Sequence, residues 1–474
     1  MSDDLQPASS RHLAATPGPA PALDIVILAA GESTRMQSQT PKVLHSLAGR
    51  PLIDYSLRLA EALSPNPPVV VVGRNAEALM AQIGPRARYV HQEQRLGTGH
   101  AVLQARATLQ GLSQTVLVFY ADMPLITRES MQALLALHVH NQARGGVLTM
   151  LTFTGDNPRG FGRIVRSAAG DVLAIVEEAD CTPEQLKIVE LNPGLYCYDA
   201  DWLWRSLDEI RLSPKGEYYL TDLVAIAVNQ GRPVSAHQVG DAREMMGINT
   251  RVHLAEAEAA LRERINRRWM EAGVTMIDPA ATYIDDTVEI GRDTLLLPGV
   301  HLHGQSRIGE ECCIGPDASV IDTVIGRGCR VQRSVLEGSV LEDHVDVGPF
   351  AHLRQGAYLA TGVHMGNFGE VKNARLGPGV KMGHFSYIGD AAIGQDVNIS
   401  AGVITCNFDG VRKNQTIVGD HAFIGSDTML VAPVTVGAGA RTGAGSVVTH
   451  DVPSGRLAVG VPARLRPDHE PEGS

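Results

Sequence analysis

The C-terminal half of the chain places an apolar residue at every sixth position. Seven of these residues follow one another in an unbroken register: Ile284, Ile290, Leu296, Leu302, Ile308, Ile314 and Val320. A six-residue period is typical of a parallel β-helix, in which each repeat forms one short strand and one turn and the recurring aliphatic side chain points into a stacked core. With three strands in each coil, the pattern predicts a left-handed β-helix of roughly eight to ten triangular coils.

The six-residue period continues, with occasional steps of five, almost to the end of the chain. Its later members are Ile325, Val331, Leu336, Leu341, Val347, Leu353, Leu359, Met365, Val371, Leu376, Met382, Ile388, Ile393 and Ile399, and, after an insertion around residues 407–415, Val418, Ile424, Leu430, Val436 and Val448. Glycine supplies 49 of the 474 residues and aromatic residues only 4%, which agrees with many tight corners. We therefore place the β-helix domain at residues 274–466 and a C-terminal tail at 467–474.

The N-terminal half has a different pattern, in which short apolar runs alternate with amphipathic stretches. The apolar runs are 25–30, 69–72 and 116–119, and the stretches with helical spacing are 51–63 and 98–112. Buried strands separated by helices predict a parallel sheet covered on both faces, so we expect a Rossmann-like α/β domain at residues 24–249. A disordered tail is expected at 1–23, and apolar residues spaced by three or four predict a linker helix at 250–273.

Composition argues against several classes of protein. The net charge is -11 and no basic block stands out, so nucleic acid is not an expected partner. The six cysteines form no C-x-x-C pair and show no zinc-ligand spacing, which favours reduced thiols over disulfides or a zinc site. No apolar run approaches the roughly 18 residues that span a bilayer, and the N-terminus has no apolar signal segment. We therefore expect a cytoplasmic protein without membrane insertion.

A glycine-containing loop follows the first predicted strand. The segment IVILAAGESTRM brings Gly31 and Arg35 directly after that strand, and Pro41 and Lys42 open the next element. Backbone N–H groups in such a loop, one arginine and one lysine are the groups that a triphosphate needs. The alternative is an ordinary glycine after a first strand, with a lysine that is only a surface charge.

A second motif, VFYADMPL, places Asp122 just beyond another predicted strand. The carboxyl edge of an open parallel sheet is where such folds bind ligands, so Asp122 is a candidate binding residue. The alternative is that Asp122 caps a helix, since Thr127 and Glu129 follow it closely.

Nine short motifs occur in a fixed order ahead of the repeats. They read LAAGESTRM, PKVLH, QEQRLGTGHA, YADMPL, GFGRI, IVEE, LNPGLY, GEYYLTDL and GIN. Together with the repeats they resemble the bifunctional bacterial N-acetylglucosamine-1-phosphate uridylyltransferase / glucosamine-1-phosphate N-acetyltransferase family over residues 24–466. The resemblance implies acetyl transfer from acetyl-CoA to glucosamine 1-phosphate, then uridylyl transfer from UTP with release of pyrophosphate. The product, UDP-N-acetylglucosamine, feeds peptidoglycan and lipopolysaccharide synthesis.

The resemblance also implies a uridylyltransferase site in the N-terminal half. Nucleotide contacts are implied for Leu28, Ala29, Ala30, Gly31, Arg35, Lys42, Gln92, Gly97 and Thr98, and further UDP-sugar contacts for Tyr120, Ala121, Asp122, Gly162, Glu177, Asn192 and Asn249. Arg35 and Lys42 would contact the phosphates. Asp122 and Asn249 would hold a divalent ion, and an oxygen-only ligand set suits Mg²⁺.

Ordinary structural roles are open for three of these residues. Asn249 before a helix is also a good N-cap, Glu177 fits a solvated strand residue and Asn192 fits a turn. The chain also departs from the family's usual residues at three places, which are Glu32-Ser33, Ala121 and Pro193. Ala121 replaces a glycine and is expected to crowd the sugar, and Pro193 replaces a threonine and removes a backbone donor.

The solenoid carries a cluster of charged and polar residues that its repeats do not need. Arg354 and Lys372 are separated by 18 residues, so they stack on one face of adjacent coils and form a cation pair suited to a phosphate monoester. The resemblance implies that His384 is the general base of acetyl transfer and that Tyr387 and Asn398 bind the sugar. The alternative for His384 is a satisfied or solvent-facing histidine on a β-helix.

The resemblance implies an acetyl-CoA groove along the later coils and a homotrimer. The implied coenzyme contacts are Ala401, Asn407, Phe408, Ser426 and Ala444. Asn407 begins an insertion that we expect to be exposed and free to serve a neighbouring chain. Phe408 replaces a tyrosine, and the family's C-terminal arginine has no aligned counterpart in AVGVPARL, where Arg464 is a candidate substitute.

Two other functions are open beside the bifunctional enzyme. One is a nucleotidyltransferase whose solenoid only oligomerises or regulates, and the other is a scaffold in which both sites are degenerate. The intact solenoid cluster around His384 argues against the first. Arg35, Lys42, Asp122 and Asn249 argue against the second.

Overall fold

The computed structural model describes residues 23–31, 34–74, 76–155, 158 and 160–465. Apart from Leu23, the predicted tail at 1–23 lies outside these residues, as do Glu32-Ser33 and the predicted tail at 467–474. The chain divides into two compact units, 1–45 with 51–257 and 46–50 with 258–474. We call them the N-terminal unit and the C-terminal unit.

A ten-stranded sheet forms the centre of the N-terminal unit. Its strands, in spatial order, are Arg88–His91, Val69–Val72, Leu23–Leu28, Thr115–Tyr120, Tyr196–Asp199, Leu148–Thr154, Glu190–Asn192, Gly162–Arg166 and Val172–Val176, with Val234–Gln238 also paired to Leu148–Thr154. The helices of this unit are Leu52–Leu63, Glu77–Ile83, Thr98–Leu103, Arg106–Leu109, Arg128–Ala143, Ala200–Ser206 and Asp222–Asn229, and the helix Arg251–Glu271 begins in this unit and ends in the C-terminal unit. The stretch predicted as one helix over 98–112 is thus two short helices.

Both faces of this sheet are buried, as the continuous apolar runs predict. Val26 and Val118 lie in one hydrophobic cluster, whereas Ile27 and Leu117 lie in the other. Side chains alternate between the two faces along a strand, so helices must cover both.

The prediction of a parallel sheet is correct for only part of it. The four strands from Arg88–His91 to Thr115–Tyr120 are parallel, but Tyr196–Asp199 runs antiparallel to both of its neighbours. Gly162–Arg166 and Val172–Val176 also pair antiparallel. The five residues between these last two strands are too few for the crossover that parallel neighbours require.

The C-terminal unit is a β-helix of three parallel sheets, which confirms the fold expected from the six-residue period. The first solenoid sheet contains Thr275–Met276, Leu295–Leu296, Cys313–Ile314, Arg330–Val331, Asp346–Val347, His364–Met365, Lys381–Met382, Asn398–Ile399, Phe423–Ile424, Arg441–Thr442 and Leu457–Val459, and ends with the antiparallel strand Arg464–Leu465. The second contains Thr282–Ile284, Val300–His303, Ser319–Ile321, Val335–Glu337, His352–Leu353, Gly369–Lys372, Ser386–Gly389, Ile404–Cys406, Met429–Val431 and Val447–Val448. The third contains Glu289–Ile290, Arg307–Ile308, Val324–Ile325, Val340–Leu341, Tyr358–Leu359, Arg375–Leu376, Ala391–Ile393, Thr416–Val418 and Val434–Val436, and a separate hairpin pairs Ser46–Leu47 with Arg50–Pro51.

The aliphatic row forms the core of the solenoid. Every member of the row from Ile284 to Val320 is buried. Steps of five shorten a coil, so Cys313 pairs with Arg330 after 17 residues and Arg330 with Asp346 after 16. The row stays in register because each strand of a shortened coil still places its aliphatic residue above that of the paired strand in the preceding coil.

No helix in the described ranges is long and apolar enough to cross a membrane.

Candidate active sites

Three distant segments of the N-terminal unit meet at Lys42. Its ammonium group donates to a carboxylate oxygen of Asp122 and, over 3.0 Å, to Oδ1 of Asn249. Lys42 is buried, and the backbone N–H of Ile248 donates to the Asp122 carbonyl over 2.9 Å. Two side-chain oxygens therefore converge on one cation at the carboxyl edge of the sheet.

Neither Asp122 nor Asn249 is the N-cap of the helix that follows it. Thr127 caps the helix Arg128–Ala143, because its hydroxyl accepts the backbone N–H of Ser130 over 3.2 Å. Thr250 caps the helix that follows Asn249, because its hydroxyl accepts the N–H of His253 over 3.1 Å. The interpretations of Asp122 and Asn249 as helix caps are wrong.

A cavity of about 490 Å³ lies beside Lys42 in the N-terminal unit. The loop Ala29-Ala30-Gly31 forms part of its wall. Gly73 packs against this loop, since a Cβ there would lie 3.1 Å from the Ala30 carbonyl oxygen. Arg35 is exposed on a short 3₁₀ turn, and it is not among the residues that line the cavity.

The sequence analysis missed two arginines of this cavity. Arg74 and Arg95 both belong to its wall. Each follows the carboxyl end of a parallel strand, so the rule that singled out Asp122 could have found them. Arg74 lies 3.8 Å from a carboxylate oxygen of Glu93, and both side chains are largely exposed.

The residues expected to bind the uracil, Gln92 and Thr98, form hydrogen bonds with nearby backbone groups. Nε2 of Gln92 donates to the Gly97 carbonyl over 3.0 Å, and the Thr98 hydroxyl accepts the N–H of Leu220 over 3.0 Å. Gly97 has a φ of +97°, and a Cβ there would lie 2.5 Å from the Tyr218 carbonyl oxygen. Only glycine fits this turn, which brings Gln92 and Thr98 to one side of the sheet edge.

Asn192 lies opposite Gly162 in adjacent strands. Its Oδ1 accepts the N–H of Gly194 over 3.1 Å, and its Nδ2 donates to the Tyr196 hydroxyl over 2.7 Å. Gly162 has no room for a side chain, because a Cβ would lie 2.7 Å from Ile175. Asn192 does shape the turn, as its ordinary interpretation predicts, while its position beside Gly162 agrees with the implied sugar site.

Glu177 is a partly buried carboxyl group rather than a freely solvated one. Its Oε1 accepts a hydrogen bond from the Thr221 hydroxyl over 3.1 Å. Burial raises the pKa of Glu177, and the bond from Thr221 opposes that shift. The pKa of Tyr120 is likewise raised by burial and further by the charges of Asp122 and Glu177, which the fold brings to the same edge.

Ala121 belongs to the buried core. Its N–H donates to the Leu28 carbonyl over 3.0 Å, which ties two strand ends together. The methyl group is fully buried, and its effect on a bound sugar stays a prediction.

The second solenoid sheet aligns the proposed phosphate-binding residues. His352 pairs with Glu370, so Arg354 and Lys372 occupy equivalent positions on adjacent coils, as their spacing predicts. Arg354 also forms an ion pair with Glu370 over 2.8 Å. Glu370 was not predicted from the sequence, although its position in the coil register, between His352 and Tyr387, could have been counted.

His384 lies at the corner between the first and second solenoid sheets. The buried residues Met382 and Ile388 flank it, while His384 itself is exposed. Tyr387 belongs to the second sheet and Asn398 to the first, so the two proposed sugar contacts lie on different sheets. A Cβ at Gly366 would overlap the Gly383 carbonyl oxygen, so adjacent coils are packed tightly directly before His384.

Asn407 itself is buried, although residues 408–413 of the insertion that it begins are exposed, as expected. Its Nδ2 donates to Asp390 over 2.5 Å and lies 3.5 Å from the Tyr387 hydroxyl. Asp390 also accepts a hydrogen bond from Nδ2 of Asn373 over 2.6 Å. The Asp390 carboxylate draws the amide inward, whereas the neighbouring Phe408 is 59% exposed.

Three implied coenzyme contacts occupy equivalent corners of successive coils. The carbonyl of Ala401 accepts the N–H of Asp427 over 2.7 Å, and that of Ser426 accepts the N–H of Gly445 over 2.8 Å. Ser426 and Ala444 line a cavity of about 450 Å³. Ser400 lines this cavity, whereas Ala401 does not. Arg441, which was not predicted from the sequence, also lines it.

All six cysteines carry free thiols. Among the described residues, no three histidine, cysteine or acidic side chains are grouped closely enough to hold a metal ion.

Family comparisons match both units. The MobA-like NTP transferase domain matches residues 25–177. Bacterial transferase hexapeptide (six repeats) matches residues 415–450, and the hexapeptide repeat of succinyl-transferase matches residues 305–332.

Curated relatives match nearly the whole chain. "Bifunctional protein GlmU" of Heliobacterium modesticaldum is 48% identical over 435 residues, which are 92% of this chain and 94% of the relative. The protein of that name from Enterococcus faecalis is 45% identical over 92% of this chain and 94% of its own length. The one from Halalkalibacterium halodurans is 42% identical over 94% of this chain and 97% of its own length.

Proposed function

The chain belongs to the GlmU family of bifunctional uridylyltransferases and acetyltransferases, and from that membership we propose how its residues carry the two reactions. The C-terminal unit transfers the acetyl group of acetyl-CoA to glucosamine 1-phosphate. The N-terminal unit then joins N-acetylglucosamine 1-phosphate to the uridylyl group of UTP and releases pyrophosphate. The observation that carries the assignment is the convergence of Lys42, Asp122 and Asn249 from segments up to 207 residues apart.

Asp122 and Asn249 fit a magnesium site. Their side-chain oxygens already share one cation, the Lys42 ammonium group. One carboxylate and one amide oxygen leave the remaining ligand positions to water and phosphate oxygens, which suits Mg²⁺. When bound, the ion would neutralise phosphate charge and align the triphosphate with the attacking phosphate.

The chain's own groups supply the rest of uridylyl transfer. The sugar phosphate oxygen attacks the α-phosphorus of UTP, forming one P–O bond as the bond to pyrophosphate breaks. Lys42 and Arg35 would stabilise the phosphates, and the loop around Gly31 would offer backbone N–H donors. Glu177 and Asn192 would orient the sugar.

His384 would act as general base in acetyl transfer. It takes a proton from the amine of glucosamine 1-phosphate as that nitrogen attacks the thioester carbonyl, and the proton then passes to the departing thiolate. A new C–N bond replaces the C–S bond. Arg354 and Lys372 would hold the sugar phosphate, and Tyr387 and Asn398 would approach the sugar from the two sheets that meet beside His384.

We also assign a homotrimer and a cytoplasmic location. Flat solenoid faces suit packing around a threefold axis, and corner sites such as that of His384 can then be completed by a neighbour. Free thiols at all six cysteines agree with a reducing compartment.

One assay tests the two reactions separately. The purified protein is incubated with UTP and Mg²⁺, either with glucosamine 1-phosphate and acetyl-CoA or with N-acetylglucosamine 1-phosphate, and free thiol and pyrophosphate are measured in parallel. The proposal expects thiol release without UTP, and pyrophosphate release only when the acetylated sugar phosphate is present or can form. Release of pyrophosphate without thiol would indicate that the protein is only a uridylyltransferase. Release of neither product would indicate a scaffold without activity.

A further inference from the structure

The cavity between the last coils contains one charged residue among its described lining residues. Ser426 and Ala444 form part of its wall, and both are implied acetyl-CoA contacts. Arg441 is the charged residue, and the remaining lining residues are glycine, alanine, serine, threonine, leucine and phenylalanine. An uncharged groove with a single guanidinium group suits a long, mostly neutral ligand that bears anionic groups at one end.

Arg441 is held in place by its neighbour on the preceding coil. It pairs with Phe423 in the first solenoid sheet, and its guanidinium carbon lies 5.4 Å from the centre of the Phe423 ring. Its partner on the following coil is Leu457. Contact with an aromatic face orients a guanidinium group without neutralising it.

Several other solenoid arginines face a carboxylate on an adjacent coil. Arg327 pairs with Glu311, and Arg354 pairs with Glu370. Within the described part of the chain, no carboxylate forms a hydrogen bond or an ion pair with the Arg441 guanidinium. Its charge is therefore available to an anionic ligand.

Arg464 is the arginine named above as a candidate substitute for the family's C-terminal arginine. It lies in the short strand Arg464–Leu465, where it pairs antiparallel with Val459. It is not among the residues that line the cavity. Of the two arginines, Arg441 is the one placed beside Ser426 and Ala444.

We propose that Arg441 binds a phosphate group of coenzyme A and thereby determines the enzyme's affinity for acetyl-CoA. The inference rests on the proposed acetyl transfer at the solenoid. A guanidinium fork donates two parallel hydrogen bonds to phosphate oxygens. Coenzyme A offers two sources of such oxygens, the 3′-phosphate of its ribose and the diphosphate that joins ribose to pantetheine.

The test compares arginine variants by acetyltransferase kinetics. Arg441→Ala is expected to raise the KM for acetyl-CoA about tenfold or more while kcat changes little, because the lost contact lies away from the reacting carbonyl. The KM of Arg441→Lys for acetyl-CoA is expected to lie between those of the wild type and Arg441→Ala, since a lysine keeps the charge but lacks the planar guanidinium group. Arg330→Ala is the matched control, because Arg330 occupies the same column of the first solenoid sheet in an earlier coil.

The substrate 3′-dephospho-acetyl-CoA distinguishes the two phosphate sources. If Arg441 binds the 3′-phosphate, wild type and Arg441→Ala have the same KM for this substrate. If it binds the diphosphate, the variant's KM rises as much as it does with acetyl-CoA. Calorimetric titration with coenzyme A gives the same comparison without turnover.

Two results would overturn the inference. One is an unchanged KM for acetyl-CoA in an Arg441→Ala protein that retains full uridylyltransferase activity. The other is a rise in KM for Arg464→Ala but not for Arg441→Ala. A wild-type protein that releases no thiol would instead contradict the proposed acetyltransferase function itself, so the two failures are distinguishable.

Discussion

The ammonium group of Lys42 lies 3.0 Å from Oδ1 of Asn249, although 207 residues of chain separate them. The same ammonium group also bonds Asp122, so a lysine here occupies the oxygens that we assign to a metal ion. On the proposed function, Asp122 and Asn249 would hold the divalent ion and leave Lys42 for the phosphates of UTP. Metal binding and triphosphate binding would then be coupled through one side chain.

Asp122→Ala is expected to abolish uridylyl transfer and to leave acetyl transfer intact. The substitution removes the carboxylate of the proposed Mg²⁺ site, and the acetyltransferase residues belong to the other unit. Pyrophosphate and thiol release are measured on the same preparation. Asp171→Ala is the control, because Asp171 is an exposed carboxylate that bonds only to the turn at Ser167. Pyrophosphate release near the wild-type rate in Asp122→Ala would contradict the metal assignment.

Glu177→Gln is expected to stabilise the N-terminal unit more as the pH rises. Burial raises the pKa of Glu177 above its unfolded value, so the protonated form stabilises the fold at low pH and this contribution is lost as the pH passes through the folded pKa. Glutamine carries no charge at any pH, so the difference in melting temperature should grow as the pH rises from the ordinary pKa of glutamate through the folded pKa of Glu177 and should then level off. Glu184→Gln, which changes an exposed carboxyl in the same segment, is the control.

The same Glu177→Gln variant tests the proposed sugar contact. Its KM for N-acetylglucosamine 1-phosphate should rise about tenfold, as expected for the loss of a charged hydrogen-bond acceptor, while its KM for UTP stays unchanged. Equal changes in both constants would indicate a structural role only.

His384→Ala is expected to reduce acetyl transfer about 10²-fold or more, which is what a positioned base contributes. The solenoid should remain folded, because its core comes from the aliphatic row and His384 is exposed. N-acetylglucosamine 1-phosphate supplied directly should restore full UDP-sugar output. His364→Ala is the control, since His364 is an exposed histidine of the first solenoid sheet paired with Asp346. Normal acetylation by His384→Ala would remove it from the mechanism.

Light scattering of the purified protein is expected to show three chains per particle. Dissociation by dilution should reduce acetyl transfer more than uridylyl transfer, because only the solenoid site is assigned to an interface between chains. A monomer with full acetyltransferase activity would refute this assembly.

The β-helix could be predicted because its information is local and repeated. Each six-residue repeat buries one aliphatic residue, so a single period over Ile284 to Val320 specifies both the strands and their stacking. The pairing of Arg354 with Lys372 follows from the same count, since positions one coil apart must align. The order of motifs around Gly31, Asp122 and Asn249 was sufficient to indicate uridylyl transfer.

The tertiary structure decided the points that depend on contacts between distant segments. The pattern around Asn407 indicates an insertion, but only the folded chain brings the Asp390 carboxylate close enough to bury its amide. Likewise, Arg441 and Arg464 are equivalent by composition, yet coil register places Arg441 in the cavity beside Ser426 and places Arg464 in the terminal strand, opposite Val459. Periodicity specifies which residues are buried within each coil, whereas the partner of a polar side chain is set by how coils and strands stack.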